Sequence, residues 1–129
     1  MLDLTVEHLG EQRLLDAWPI LEMTATELVP HWWQHEATEL IRRGGGVLVA
    51  RASDGLIYGL ATYEPMRCSR RKRVLAVQRL ITFELSRRHP ARQSLLHALD
   101  LLAVTLDCSE MALPVRPSRA GPTPSLLAN

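Results

Sequence analysis

Apolar and polar positions along the chain repeat with two periods, and each period marks a type of element. Residues 2–7 alternate between apolar and polar side chains, which is typical of a half-buried strand. Over residues 11–28 apolar side chains recur every three or four positions, which predicts a helix. Pro19 interrupts this pattern, so we expect a break near Trp18 or a helix with Pro19 in its first turn, and Pro30 is expected to close the unit.

The middle of the chain is predicted to form a short helix followed by two strands. Residues 32–42 have helical spacing, and the apolar side chains expected to face inward are Trp33, Ala37, Leu40 and Ile41. Residues 47–52 and 56–64 are strand-like, and Asp54-Gly55 between them favours a tight turn, which predicts an antiparallel hairpin. Pro65 is expected to end the second strand.

The last third of the chain has the pattern of a strand, a loop, a helix and a strand. An apolar run over residues 74–85 is followed by a basic turn over residues 86–92. A leucine-rich amphipathic segment over residues 91–106 and a short apolar run over residues 111–115 complete the unit. Ligands of open α/β sheets bind where a strand ends and the next helix begins, so the basic turn is the candidate binding site.

Length and composition indicate one globular domain. The chain has 129 residues, of which 47% are hydrophobic and 22% are charged. The sequence begins without the pattern of a signal peptide and contains no apolar stretch of about 18 residues, so we expect a cytoplasmic protein with no membrane segment. Cys68 and Cys108 lie far apart and lack metal-ligand spacing, which favours reduced, structural thiols.

The two halves of the chain carry opposite charge. Residues 1–66 hold four arginines against ten acidic residues, a net charge of −6, and residues 67–129 hold eleven basic against four acidic residues, a net charge of +7. A basic half suits a polyanionic ligand, and an acidic half attracts an amine, although two oppositely charged solvated faces would give the same pattern.

Three short motifs have both a chemical and a plainer interpretation. His31, His35 and Glu39 share one face of the predicted second helix, but the spacing lacks a second ligand cluster, so we expect solvent-facing residues and no metal. Gly44-Gly45-Gly46 precedes a strand and has no following Lys-Ser, which favours a helix-to-strand connection over a phosphate loop. Residues 66–73 carry five basic side chains and no aromatic ones, which favours a solvated loop; an acidic partner or nucleic acid is the alternative interpretation.

Several segments together resemble the GNAT N-acetyltransferase superfamily. They are Trp18-Pro19-Ile20-Leu21, the run from Gly44 to Ala50, the run from Asp54 to Ala61, and Leu80-Ile81-Thr82-Phe83-Glu84. The resemblance covers residues 2–115. It implies an α+β single domain with a mixed, mostly antiparallel sheet of about five strands and helices on both faces. The family's C-terminal helix and last two strands have no counterpart in the sequence, so we expect a domain over residues 1–115 and a Pro-rich tail over residues 116–129.

The resemblance also implies a site for acetyl-CoA. Ile81, Thr82 and Phe83 stand where the fourth strand of the family receives the pantetheine arm. The family's pyrophosphate loop, Q/R-x-x-G-x-G/A, falls on residues 87–92, where only the first position matches, because Pro90 and Arg92 replace its small residues. The cofactor-binding residues implied at this turn are Arg87, Arg88, Ala91, Arg92 and Gln93.

For catalysis the resemblance implies three candidate residues and no tyrosine. Family members often carry a carboxylate on the fourth strand, and the matching position here is Gln78, which cannot accept a proton as a base. Glu64 and Glu84 lie near predicted strand ends and are the candidate bases, acting directly or through water. The tyrosine that protonates the departing thiolate in the family has no counterpart, because no tyrosine follows Tyr63.

Two functions follow from the sequence. The first is an acyl-CoA-dependent N-acetyltransferase with an atypical cofactor loop, which binds a CoA thioester and an amine. The second is a catalytically inactive binding or assembly module of the same fold, with an acidic partner at the basic loop. Because the fifth strand would have an open edge, we also expect a homo-oligomer or a tail packed on the domain. No base-reading surface is apparent, so the sequence does not favour nucleic acid.

Overall fold

A computed structural model describes residues 3–24, 29–69 and 72–114. A 3-10 helix over Glu11–Ala17 follows the first strand and leads into the first α-helix. The strands are β1 Leu4–His8, β2 Gly46–Ala52, β3 Ile57–Ser69, β4 Lys72–Thr82 and β5 Glu110–Ala112, and the α-helices are α1 Trp18–Thr24, α2 Pro30–Arg42 and α3 Pro90–Thr105.

The five strands form one mixed sheet in sequence order. Strands β1 to β4 pair antiparallel with their neighbours, whereas β5 pairs parallel with β4. Alternate residues of the sheet face opposite layers: Val49 and Leu60 pack under α1 and α2, and Leu48 and Ala61 pack under α3. The predicted α+β domain with helices on both faces of a mostly antiparallel sheet is therefore confirmed.

The prolines near the first two helices begin them. As predicted, the chain changes conformation at Trp18, where the 3-10 helix gives way to α1 with Pro19 at its second position. The prediction that Pro30 closes the first unit was wrong, because Pro30 is the first residue of α2. A first helical position suits proline, since the N–H that it lacks would have no partner within the helix there.

The prediction that Pro65 ends the second hairpin strand was also wrong, because β3 continues through Pro65 to Ser69. Pro65 lies opposite Leu75 of β4, and Arg73 in β4 accepts a hydrogen bond from Ser109 on the β5 side. The N–H and C=O groups of successive residues in a strand point to opposite sides, so those of Leu75, two residues after Arg73, also face β5. The residue opposite it in an antiparallel pair likewise points away from the partner strand, so the nitrogen of Pro65 faces away from β4. On that other side β2 starts only at Gly46, opposite Tyr63, so no ladder hydrogen bond is lost.

The three consecutive glycines connect α2 to β2, as predicted. Gly44, at φ +96°, follows the last turn of α2, and the N–H groups of Gly44 and Gly45 donate to the carbonyls of Ile41 and Leu40. A Cβ on Gly45 would collide with the carbonyl oxygen of Tyr63. The segment therefore ends a helix and passes close to β3, and its N–H groups are not arranged as a phosphate loop.

Other predictions concern parts of the chain that the structure describes incompletely. Strand β5 ends at Ala112, earlier than the predicted boundary, and the predicted tail over residues 116–129 lies outside the described residues. Residues 70 and 71 of the predicted basic loop also lie outside them, and the flanking residues belong to β3 and β4. Within the described residues, no helix has the length and apolar character that crossing a membrane requires.

Substituting Gly45→Ala tests the close approach of this segment to β3. We expect a loss of about 3 kcal/mol in the free energy of unfolding, because the added Cβ meets a backbone oxygen that is fixed within the sheet. The matched control is Gly10→Ala, where a Cβ would meet nothing within 4 Å, and we expect it to cost less than about 1 kcal/mol. Equal effects of the two substitutions in urea unfolding would contradict this description of the connection.

Candidate functional site

Strands β4 and β5 separate soon after they meet. Their parallel pairing comprises Val74 with Glu110, Leu75 with Met111 and Ala76 with Ala112, and β5 ends there. Strand β4 continues to Thr82, paired with β3 on its other side. The second half of β4, residues 77–82, therefore has an open edge on the β5 side among the described residues.

Main-chain groups of β4 point into this open side. The N–H of Phe83 donates to the carbonyl of Tyr58 in β3 over 2.8 Å. The main-chain groups of Phe83 thus face β3. Since the N–H and C=O groups of successive residues in a strand point to opposite sides, those of Leu80 and Thr82 face away from β3. Among the described residues these donors and acceptors have no main-chain partner. An extended ligand can pair with such a row as an added strand would.

A β-bulge lies at the start of this open edge. Tyr63 pairs with Val77 and Thr62 with Arg79, so Gln78 is an extra residue in β4. The bulge turns the side chains of both Gln78 and Arg79 toward the α2 side of the sheet, as their contacts there demonstrate. Polar side chains thereby collect at the point where β4 and β5 diverge.

Glu64 is the centre of the first of these contacts. Arg43, just after α2, donates from Nε to one carboxylate oxygen of Glu64 over 2.9 Å and from Nη2 to the other over 3.2 Å. Gln78 Nε2 donates to Glu64 Oε1 over 3.3 Å. The hydrogen bond to Glu64 raises the pKa of Arg43. The structure thus brings together Glu64 and Gln78, two of the three predicted catalytic residues. It adds Arg43, which binds the carboxylate of Glu64 in a bidentate ion pair.

A second ion pair lies one residue further along β4. Arg79 donates from Nε and Nη2 to the two carboxylate oxygens of Glu36 in α2, over 3.1 and 3.3 Å. Both side chains are partly buried. This pair fixes α2 against the part of β4 that has the open edge.

The N-terminus of α3 lies at the end of β4, beyond a short loop. His89 precedes the helix with φ 52°, in the left-handed region, and its side chain makes no capping hydrogen bond. Pro90 is the first helical residue and has no N–H. Gln93 N–H donates to the carbonyl of His89, so Ala91 and Arg92 carry the first-turn N–H groups that need a partner outside the helix.

Glu84 supplies that partner. Its Oε1 accepts the N–H of Ala91 over 3.2 Å, and its Oε2 accepts the N–H of Arg92 over 2.9 Å. The third predicted catalytic residue is therefore bound at the N-terminus of α3, and its carboxylate takes the position that an anion prefers at such a helix end.

The predicted cofactor-binding residues divide into two groups, apart from Thr82 at the end of β4, whose side chain is half-buried. Ile81 and Ala91 are buried, Ile81 under α1 and α2 and Ala91 against the face of the sheet that α3 covers, so their side chains are part of the core. The exposed side chains of the second group surround the loop: Phe83, Arg87, Arg88, Arg92 and Gln93. Gln93 Nε2 donates to the carbonyl of Arg88 over 2.8 Å, which ties the loop to the helix.

A histidine and a tyrosine form a pair on the α3 side of the sheet. His8 Nε2 lies 2.7 Å from the hydroxyl of Tyr63, and the two rings are 5.9 Å apart in an edge-to-face arrangement. The residue His8 is exposed as a whole, but its ring stands against Tyr63, and this burial lowers the pKa of His8. Burial likewise raises the pKa of Tyr63. Both shifts favour the neutral forms of the two groups.

Sequence patterns did not identify several of these partners. The sequence does not indicate partners for Arg43 and Arg79, because only the packing of α2 against the sheet brings Arg43 to Glu64 of β3 and Arg79 to Glu36 of α2. A helix cap is sought one residue before the helix, whereas Glu84 is six residues before Pro90. In the parts of the chain that the structure describes, no group of three or more His, Cys, Asp or Glu side chains is arranged to hold a metal ion.

The sequence matches no protein-family model and no curated protein, but its structure is similar to many solved ones. An acetyltransferase from Trypanosoma brucei superposes with a TM-score of 0.71 at 18% identity, covering 88% of this chain and 84% of that one. An aminoglycoside N-acetyltransferase in complex with CoA gives a TM-score of 0.75 at 14% identity, over 91% and 80%. A ribosomal-protein-alanine N-acetyltransferase from Brucella melitensis gives 0.69 at 18% identity, over 88% and 81%.

These similarities establish the fold. The chain has the fold of the GNAT acetyltransferases, as its sequence resemblance implied. The similar enzymes are described by different acceptors, an aminoglycoside and a ribosomal-protein alanine among them, so the shared fold does not specify an acceptor for this chain.

The His8–Tyr63 pair predicts an acid-sensitive stability. Since burial lowers the pKa of His8 below its ordinary value of 6.5, the folded state binds the proton more weakly than the unfolded chain does. The contribution of His8 is therefore complete above pH 6.5 and is lost as the pH falls below it. Urea unfolding between about pH 7.5 and pH 5.5 should show a larger loss for the wild type than for His8→Gln.

The control for this prediction is His97→Gln, because His97 is an exposed residue of α3. We expect it to lose stability with acid as the wild type does. A His8→Gln variant that loses stability in parallel with the wild type would show that the pair does not couple folding to pH.

Proposed function

We propose that this domain is an acyl-CoA-dependent N-acetyltransferase that transfers an acetyl group from acetyl-CoA to an amine. The observation that carries the proposal is the open edge of β4, where the main-chain groups of Leu80 and Thr82 face the gap left by β5. The pantetheine arm of CoA contains two amides, which can pair with such a row in the manner of an added strand. When bound, acetyl-CoA supplies a thioester acyl group for transfer.

The arginines around the α3 N-terminus support the same assignment. Arg87, Arg88 and Arg92 are exposed in the loop and the first helical turn, at the end of the open edge. Guanidinium groups bind phosphate oxygens through charge-assisted hydrogen bonds, so we propose that these side chains contact the phosphates of CoA. The residues present thus fit the arm of the cofactor through the main chain and its phosphates through side chains.

The polar cluster at the bulge supports a role in receiving the amine. The carboxylate of Glu64 lies at the point where β4 and β5 diverge, held by Arg43 and Gln78. A carboxylate there attracts a protonated amine and accepts a hydrogen bond from it, directly or through water. We propose Glu64 as the group that orients the amine and accepts its proton, with Gln78 and Arg43 as positioning residues.

A second candidate function is a non-catalytic binding module with the same fold. Two contacts favour it: Glu64 is already paired with Arg43, and the carboxylate of Glu84 takes the N–H groups at the α3 N-terminus. For such a module, the exposed basic residue Arg67 of the long β3–β4 hairpin would face an acidic partner. Binding of acetyl-CoA separates the two candidates, since the module needs no cofactor.

The test is the thermal stability of the protein with and without acetyl-CoA. Excess acetyl-CoA at about 100 times its dissociation constant should add about 2.7 kcal/mol to the free energy of unfolding. The double variant Arg87→Ala with Arg92→Ala should lose most of this stabilisation, because it removes two cations that contact the phosphates.

The matched control is the double variant Arg13→Ala with Arg42→Ala. It removes two exposed arginines from the layer on the opposite face of the sheet and should keep the full stabilisation. If millimolar acetyl-CoA leaves the wild type unchanged, the acetyltransferase proposal is wrong. A full shift in the Arg87/Arg92 variant would instead show that these side chains do not hold the phosphates.

A further inference from the structure

The first turn of α3 has only two N–H groups that need a partner, and one side chain takes both. Pro90 contributes no N–H, and the N–H of Gln93 is bonded to the carbonyl of His89. The N–H groups of Ala91 and Arg92 each donate to a different oxygen of Glu84. The carboxylate thus completes the hydrogen bonding of this helix end, and no first-turn donor is left over for a ligand.

A carboxylate bound in this way is chemically equivalent to an anionic ligand. It presents two oxygens with a shared negative charge to two backbone donors at the positive end of a 16-residue helix, as a phosphate group would. Two anions cannot share the same two donors. A phosphate that approaches the helix axis therefore meets a bound negative charge instead of free N–H groups.

The loop holds Glu84 next to its targets. The residue before it, Phe83, is fixed to β3 by the hydrogen bond from its N–H to Tyr58, and the two rings lie 6.2 Å apart. Within the loop, Ser86 accepts from the N–H of Arg88 through its Oγ and from the N–H of His89 through its carbonyl. A side chain tethered over so short a loop competes with a free ligand at an effective concentration in about the millimolar range.

We propose that Glu84 sets the cofactor specificity of this site by occupying the α3 N–H groups that a phosphate would otherwise take. A ligand with a diphosphate is left with the side chains of Arg87, Arg88 and Arg92. Recognition of an acyl-CoA thioester then depends mainly on its pantetheine arm, which in the proposed function lies along β4. This inference rests on the proposed function for the identity of the cofactor, but the occupation of the helix end by Glu84 can be tested without CoA.

The first test uses inorganic pyrophosphate as the probe and thermal unfolding as the readout, at matched ionic strength. Removing the carboxylate in Glu84→Ala frees the two N–H groups, so pyrophosphate should raise the melting temperature of this variant by several degrees more than that of the wild type. The control is Glu110→Ala, which removes an exposed carboxylate on β5 that pairs with Lys72 on β4. This variant should respond as the wild type does. Equal responses of Glu84→Ala and wild type would overturn the proposal.

Glu84→Gln keeps the proposal testable if the alanine variant does not fold. The glutamine retains one oxygen acceptor of the same shape but loses the charge and the second acceptor, so one N–H becomes available. We expect its response to pyrophosphate to exceed that of the wild type. A response no larger than that of the wild type counts against Glu84 as the occupant.

The second test compares binding of CoA and of pantetheine by calorimetry. The ratio of the pantetheine to the CoA dissociation constant measures what the 3′-phosphoadenosine diphosphate part of CoA adds. We expect this ratio to rise about tenfold from wild type to Glu84→Ala, because the variant frees two N–H groups for charge-assisted hydrogen bonds to the phosphates. An unchanged ratio, with both ligands bound, would overturn the role of Glu84 and leave the acetyltransferase proposal standing. Absence of binding by both ligands to both proteins would refute that proposal, and the pyrophosphate result would still decide the role of Glu84.

Discussion

The short parallel pairing between β4 and β5 determines where the described sheet has an open edge. Because the pairing ends at Ala76 and Ala112, the main-chain groups of Leu80 and Thr82 have no partner strand among the described residues. A β-bulge at Gln78 lies at the same place and turns two consecutive side chains toward α2. The open edge and the polar cluster around Glu64 thus lie where the two strands separate, and the N-terminus of α3 lies beyond the far end of the edge.

The electrostatics of the two ends of this edge differ. At the bulge, the carboxylate of Glu64 is paired with Arg43, and we propose that it receives the amine. At the far end, exposed arginines surround a helix terminus that already holds a carboxylate. The fold of the GNAT acetyltransferases is therefore combined here with a helix end whose N–H groups are bound by the chain's own Glu84. The two proposed functions differ in whether a CoA cofactor binds beside this occupied helix end.

Much of the fold could be predicted from the sequence, because it depends on local periodicity. The Asp-Gly hairpin, the helical spacing of Trp33, Ala37 and Leu40, and the strand–helix–strand order of the last third all agree with the structure. The errors came from prolines: Pro30 begins a helix, and Pro65 lies within a strand on a side with no neighbour. Periodicity cannot show which side of a strand is open, since this depends on where the adjacent strand ends. The site was predictable in part, because the resemblance located the loop, whereas the partners of Glu64 and Glu84 arise from tertiary contacts.

The most direct test of the account is a titration of the isotope-labelled protein with acetyl-CoA, followed through its backbone amide resonances. If the open edge of β4 is the binding site, the amide signals of Leu80 and Thr82 should shift strongly. The signals of Met66 and Arg67, on the distant part of the β3–β4 hairpin, should stay constant. A titration that moves the hairpin signals and leaves Leu80 and Thr82 unchanged would contradict the central claim that the divergence of β4 and β5 creates the site.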